Sequence, residues 1–309
     1  MCNFRKEREG VMKKNLIIGA AMLDIVMQME RLPRTGEDVY AKSQEMKVGG
    51  CAYNVADIQK HFQVPYTLFA PVGTGIYADI IRKKLGQTGH ESPIHSKVRD
   101  NGYCLCMVEA DGERTFLTLP GIECGFEKEW FAEVDPKEYD SVYICGYEIE
   151  GEGGETIIEF LEENEHLIVY YAPGPRICHI KKERHERIFK LHPVLHLNEG
   201  EALQFTGEEH YEDAAEQLFE KCGNSVIITL GEKGCYLYQS GVGEVIPSKK
   251  AQVVDTIGAG DTHIGAFIAL RSKGKDSREA VALANQVSAM VVGVQGPTLT
   301  AEEFTRGDW

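Results

Sequence analysis

Hydrophobic and polar positions follow two rhythms along the chain. Short apolar runs at 16–21, 66–72, 141–147, 167–171, 194–197 and 225–230 have strand length, and between them lie amphipathic stretches of helical period at 76–85, 155–163 and 212–221. This alternation predicts a doubly wound α/β fold, a mostly parallel sheet flanked by helices on both faces. Asp276 and Glu279 form a capping-box pattern that opens a last helix over 280–292. Two regions break the rhythm. Residues 101–120 alternate, turn at Asp111-Gly112 and return, which predicts a hairpin, and residues 37–48 are strand-like. Neither joins a parallel core easily, so together they predict a small β-sheet beside it, placed to act as a lid.

Composition narrows the class. A chain of 309 residues with 43% apolar content can bury a large core without staples. Its formal charge of −15 argues against nucleic acid or an anionic membrane as partner. Nine cysteines are scattered without a Cys-x-x-Cys pair, several inside apolar strands, a pattern expected of reduced thiols in a cytoplasmic protein. His192 and His196 have a metal-like spacing, but Pro193 interrupts it and the surroundings read as a strand. Residues 1–11 are polar, carry no apolar h-region and are expected to be a disordered leader before Met12, with residues 305–309 a short tail.

The most informative stretch is Asp255-Thr256-Ile257-Gly258-Ala259-Gly260-Asp261, which opens an apolar segment. If that segment is a helix, its first turn offers unpaired amides and the positive end of the dipole to a phosphate-like anion, and the glycines leave those amides uncovered. Asp261 beside such an anion is a poor ligand but is placed to take a proton from an attacking hydroxyl. The plain alternative is that Asp261 caps the helix. A dinucleotide fingerprint fails because His263 stands where the third glycine belongs, and no P-loop motif occurs.

Other polar groups fall at predicted strand ends, where this architecture binds ligands. Asp24 interrupts an apolar run from Ala20 to Met29, and Gly49-Gly50 opens a helix that carries Asn54 one turn inside, a poor helix residue whose side chain needs a partner. Asn198 and Glu201 follow the 194–197 strand, readable as a capping box or as hard oxygen ligands for magnesium. Thr229 and Gly231 form another glycine turn after a buried strand, open to a nucleotide phosphate.

In order and spacing these elements resemble the ribokinase-like (PfkB) carbohydrate kinases, from about Met12 to Phe304, with a single kinase domain expected over 12–304. The resemblance implies ATP-dependent phosphorylation of a primary hydroxyl on a small sugar or nucleoside. It implies Asp261 as general base, the amides of Gly258, Ala259 and Gly260 as anion hole, and Asp24, Gly50 and Asn54 as sugar ligands. Asn198 and Glu201 match its magnesium motif, Thr229, Gly231 and Asn285 its ATP contacts, and 101–120 its β-lid. A catalytically weak regulatory binding protein is the alternative from another class.

Departures from the family pattern fall at Ala172, where a polar residue is common, and at Tyr53, expected to narrow the sugar pocket or stack on a ring. Val294 lies near a monovalent-cation position and leaves potassium activation in doubt, while Arg176 and Arg114 are candidate ligands for an acidic substrate group. A lid with one face on substrate would leave Tyr103, Leu105 and Met107, or Cys104, Cys106 and Val108, in water, so a homodimer joined through the lids is expected.

Overall fold

The computed structural model describes residues 12–307 and Trp309; the expected leader at 1–11 lies outside them. The first half runs β1 (Lys14–Ile18), β2 (Met22–Gln28), β3 (Ser43–Gly49), α1 (Cys51–His61), β4 (Tyr66–Phe69), α2 (Ile76–Thr88), β5 (Tyr103–Val108), β6 (Arg114–Leu119), β7 (Tyr139–Cys145), α3 (Gly146–Glu150) and α4 (Gly154–Glu163). The second runs β8 (Ile168–Ala172), α5 (Lys182–Phe189), β9 (Val194–Asn198), α6 (Glu199–Thr206), α7 (Tyr211–Cys222), β10 (Val226–Thr229), β11 (Cys235–Gln239), β12 (Val242–Ile246), α8 (Ala259–Ser272), α9 (Ser277–Val291) and α10 (Ala301–Phe304).

The main sheet has the order β12-β11-β10-β9-β8-β7-β1-β4. Its parallel strands, from β10 to β4, are the apolar runs predicted from the sequence, and β11 and β12 extend one edge antiparallel. Because neighbouring strand residues point to opposite faces, Ile17 enters the core under α1, α8 and α9, while Leu16 and Ile18 enter the core under α4, α5 and α7. Burial of both faces explains why these runs are continuously apolar rather than alternating.

The second sheet has four strands in the order β3-β2-β5-β6. The 101–120 hairpin forms as predicted, with Gly112 in the turn at φ 91°. Two expectations need correction. The strand placed at 37–48 starts only at Ser43, and β2, cut from the Ala20–Met29 run, is a central strand of this sheet. Its residues alternate: Leu23 and Ile25 pack into the core, whereas Asp24 and Val26 face a cavity on the other side.

The β5 rows also differ from expectation. Tyr103 packs on Tyr77 of α2 with ring centroids 4.9 Å apart, and Leu105 joins the core, while Cys104, Cys106 and Val108 are buried facing the cavity. The large apolar groups in water are instead Phe116, Leu117 and Leu119 on the edge strand β6. Trp309, expected in a free tail, packs against Phe304 at 4.9 Å and Phe62 at 6.1 Å.

Helices α1 and α8 cross closely at Gly265. A Cβ there would stand 3.1 Å from Ile58 Cβ and 3.3 Å from the Val55 backbone, and the Gly265 carbonyl accepts a 2.6 Å bond from the Gln59 amide. Overpacking such a contact typically destabilises by about 1–3 kcal/mol. Gly265→Val is therefore expected to lower the melting temperature by several degrees, and an unchanged melting temperature would refute the tightness of this contact.

Candidate active site

Helix α8 starts at Gly258, which adopts a left-handed φ of 74° and lies against Pro297, 2.5 Å from where a Cβ would project. No side chain caps this helix, so the capping reading of Asp261 does not hold. The Ala259 amide makes a long 3.3 Å bond to the Thr256 carbonyl. Among the described residues the amides of Gly260 and Asp261 donate to nothing in the protein, and no atom lies within 4 Å of where a Gly260 Cβ would sit. The helix therefore presents bare amides and its dipole to an open space, an anion site by construction.

Asp261 is half-buried and its Oδ2 accepts a 2.8 Å bond from Asn54 Nδ2. Burial raises its pKa, an effect that the bonds from Asn54 and Cys51 offset in part. The Asn54 Oδ1 is buried with no partner among the described residues. A buried amide oxygen left without a donor marks a place for a ligand's hydroxyl. Asn54 and Cys51 share one face of α1 and border the cavity. Tyr53 points the other way, buried edge-on to His90 at 5.3 Å, so it neither narrows the pocket nor stacks on a ligand. Gly50 caps α1 pressed against the Ala20 carbonyl, whose oxygen lies 2.5 Å from where a Cβ would project, and Asp24 leans over Gly49 in the same way at 2.3 Å.

These groups line one cavity of about 480 Å³ between the two sheets, floored by Asn54, Glu148 and Asp261 and roofed by Asp24, Val26, Cys104, Cys106, Val108 and Phe116. Burial, then the neighbouring Asp261 charge, raises the Asp24 pKa to about 6. Glu148, at the start of α3 where β7 ends, is a site residue that the sequence reading misses. It is 2% exposed, its pKa is raised to about 7 by burial, and it accepts a 2.6 Å bond from the Cys145 thiol. The rule that points to Asp24, a carboxylate just past an apolar strand, applies equally to Gly146-Tyr147-Glu148.

The remaining expected residues separate. Asn198 and Glu201 complete the capping box reciprocally, at 2.8 and 2.9 Å, and the Asp261 charge contributes to a raised Glu201 pKa after burial. Thr229 ends β10, its hydroxyl 3.4 Å from the Leu197 carbonyl, and Gly231 opens the next turn at φ 59° with free space around it. Asn285 is buried rather than open to a ligand. Its Oδ1 meets His263 Nε2 at 3.1 Å and its Nδ2 donates to the Ile246 carbonyl at 2.9 Å, while His263 Nδ1 meets His196 Nε2 at 2.9 Å. That bond occupies His196, which sits in a strand as the sequence indicates. Ala172 ends β8 against the core, and Val294 lies in the turn after α9. Arg176 is paired with Glu150 at 2.6 Å and does not border the cavity. Arg114 does border it, with Nη1 2.9 Å from Asp255 Oδ1.

The raised carboxylates fix the direction of a pH effect. Between its ordinary value of 4.5 and about 7, Glu148 binds a proton in the folded but not the unfolded chain, so stability falls as pH rises through that window. Above it the penalty is on the order of 3 kcal/mol. Glu148→Gln is expected to flatten this dependence, melting closer to its low-pH temperature at about pH 8 than the wild type does; parallel curves for the two proteins between about pH 5 and 8 would rule it out.

The chain matches the family model described as pfkB family carbohydrate kinase over residues 12–303. It is 34% identical over 285 residues to an uncharacterized sugar kinase of Escherichia coli K12, YegV, covering 91% of this chain and 89% of that one. It is 27% identical to the ribokinase of Arabidopsis thaliana, covering 91% and 76%. Among solved structures, ribokinase of Thermotoga maritima superposes with a TM-score of 0.82 at 25% identity over 95% and 98% of the two chains. The structure of Arabidopsis ribokinase complexed with ribose and ATP superposes at 0.77 with 22% identity over 96% and 98%, a likeness of fold. The chain thus belongs to the pfkB family of carbohydrate kinases and is an ATP-dependent sugar kinase on the ribokinase fold.

Proposed function

We propose that the protein transfers the γ-phosphoryl group of ATP to a primary hydroxyl of a small sugar or nucleoside, with Asp261 as the general base. The observation that carries this reading is the Asn54–Asp261 pair at the mouth of α8, where a proton acceptor, an unpartnered amide oxygen and free helix amides meet at one end of the cavity. Asp24, Gly50 and Asn54 hold the acceptor's hydroxyls. Asp261 takes the proton as the oxygen attacks, and the amides at Gly258, Ala259 and Gly260 receive the charge that develops on the phosphoryl oxygens, Gly260 directly and Ala259 by giving up its long bond to the Thr256 carbonyl. A carboxylate whose pKa burial has raised is a better base than a solvated one.

Thr229 and Gly231 serve the nucleotide phosphates directly. Asn285 acts behind them, fixing the Ile246 carbonyl through its amide. Among the described residues no group of three or more His, Cys, Asp or Glu is arranged to hold a metal by itself. That fits magnesium, which keeps its waters and uses one or two carboxylates with the nucleotide's own phosphates; Asn198 and Glu201 would meet it through such waters, and the metal would supply charge neutralisation of the transferred group. The four-stranded sheet acts as a lid that excludes water.

The exposed Leu117 and Leu119, on the face of the lid's edge strand turned away from the cavity, suit a second copy of the chain, and the lids are read as the seam of a homodimer. No helix among the described residues is long and apolar enough to cross a membrane, and the described cysteines are all free. Both accord with a cytoplasmic enzyme.

Asp261→Asn is expected to lower turnover by about 10²–10⁴-fold with little change in melting temperature or ATP affinity, measured as ATP consumption against a panel of pentoses, hexoses, sugar acids and nucleosides; near-normal turnover would defeat the assignment of the base. Leu117→Glu with Leu119→Glu is expected to convert a dimer to a monomer in light scattering, and a wild-type protein already monomeric at micromolar concentration would dispose of the lid-mediated dimer.

A further inference from the structure

Arg114 is the first residue of β6, paired with Val108 at the tip of the lid hairpin, yet its guanidinium reaches the main domain at Asp255. The Asp255 carboxylate is buried and fully engaged. Oδ1 accepts from Arg114 at 2.9 Å and from the Ile257 amide at 3.0 Å, and Oδ2 accepts from the Gly296 amide at 3.2 Å. Gly296 precedes Pro297, the residue against which Gly258 is pressed. One carboxylate therefore joins three segments: the lid, the turn leading into the anion hole, and the loop that supports that turn from behind.

Charge makes the lid's share decisive. The cavity wall carries Asp24, Glu123, Glu148, Asp255 and Asp261, and its other cation, Lys47, is occupied by Glu45 at 3.1 Å. Asp255 precedes the start of α8 by only a few residues, so its bare charge would repel the phosphoryl group that the free amides attract. Arg114 offsets that charge only while the lid is down. Its side chain keeps about a quarter of its surface exposed, 28%, against 9% for Asp255, so the arginine can withdraw while the carboxylate stays.

We propose that Arg114 is a positioning residue that makes lid closure and assembly of the anion hole one event. With the lid raised, Asp255 stands unneutralised, the 256–258 turn loses one of its three restraints, and the site disfavours a phosphoryl group. With the lid lowered over an acceptor, the guanidinium cancels the charge and fixes the turn. Unproductive transfer to water is suppressed until the acceptor is enclosed. The effect on turnover rests on the kinase reading given above, whereas the effect on the turn does not.

The test separates the two. In Arg114→Gln, hydrogen exchange at the bonded amides of Ile257, Ala259 and Gly296 is expected to quicken by about tenfold, with other regions and the melting temperature nearly unchanged. In the same variant kcat is expected to fall by about 10–100-fold while the acceptor KM stays within about threefold, and Arg114→Lys is expected to recover part of both losses. Combining Arg114→Gln with Asp255→Asn should do little more harm than Asp255→Asn alone. Unchanged exchange at Ile257, Ala259 and Gly296 overturns the latch, even if turnover falls. A rise in acceptor KM at normal kcat also overturns it, by making Arg114 a substrate ligand. Should Arg114→Gln fail to fold, the exchange and kinetic comparison in Arg114→Lys decides, and wild-type kinetics there with wild-type exchange refutes the proposal. Altered exchange in a protein that phosphorylates no member of the acceptor panel would leave the latch standing and remove the proposed acceptor class instead.

Discussion

The approach of α1 to α8 at Gly265 is the constraint on which the site depends. Asn54 and Asp261 are 207 residues apart, on helices that pack against the same face of the main sheet, and their 2.8 Å bond exists only because the two backbones come close one turn further along. Gln59 reinforces the contact through the Gly265 carbonyl and also accepts a bond from Asn15 on β1, tying the helix pair to the central strand. A side chain at that crossing would move Asp261 and Asn54 apart before it disturbed the rest of the cavity wall. Packing and chemistry are here the same geometric requirement, and a well-packed interior transmits such a shift rather than absorbing it.

Electrostatics set the second requirement. Asp24, Glu148 and Asp261 are all raised by burial around one cavity, a concentration of ionisable groups in low dielectric that stability alone does not favour. The Asp255 carboxylate is the counter-example: amide bonds and Arg114 outweigh its burial and hold it below the usual range. Within one site, carboxylates that serve the structure are fully bonded and those left for a ligand are not.

Much of this is legible in the chain. The apolar runs locate every parallel strand of the main sheet, because burial on both faces removes the ambiguity of alternation, and the Asp255–Asp261 stretch locates the anion site, because bare amides require glycine at fixed places. What stays hidden depends on direction. The sequence puts Asp24 after the first strand but does not say that the chain crosses to a second sheet there. Tyr53 and Asn54 are neighbours that a helix sends to opposite sides, one into the core and one into the cavity, and Asn285 lies on the inward face of α9, where its amide serves the polypeptide instead of a ligand. Glu148 obeys the strand-end rule, yet its apolar neighbours mask it. The Arg114–Asp255 pair joins residues 141 apart across two sheets, and no local pattern announces it.

The position of Asp24 has a further consequence. It belongs to β2, a central strand of the small sheet, and only residues 19–21 separate that strand from β1 in the middle of the main one. If these two residues hold the acceptor as proposed, its ligands are divided between two bodies, Asp24 on one and Asn54 on the other. A molecule that satisfies both must span them, so its shape measures the gap between the sheets, and discrimination among polyols of similar chemistry becomes a matter of length.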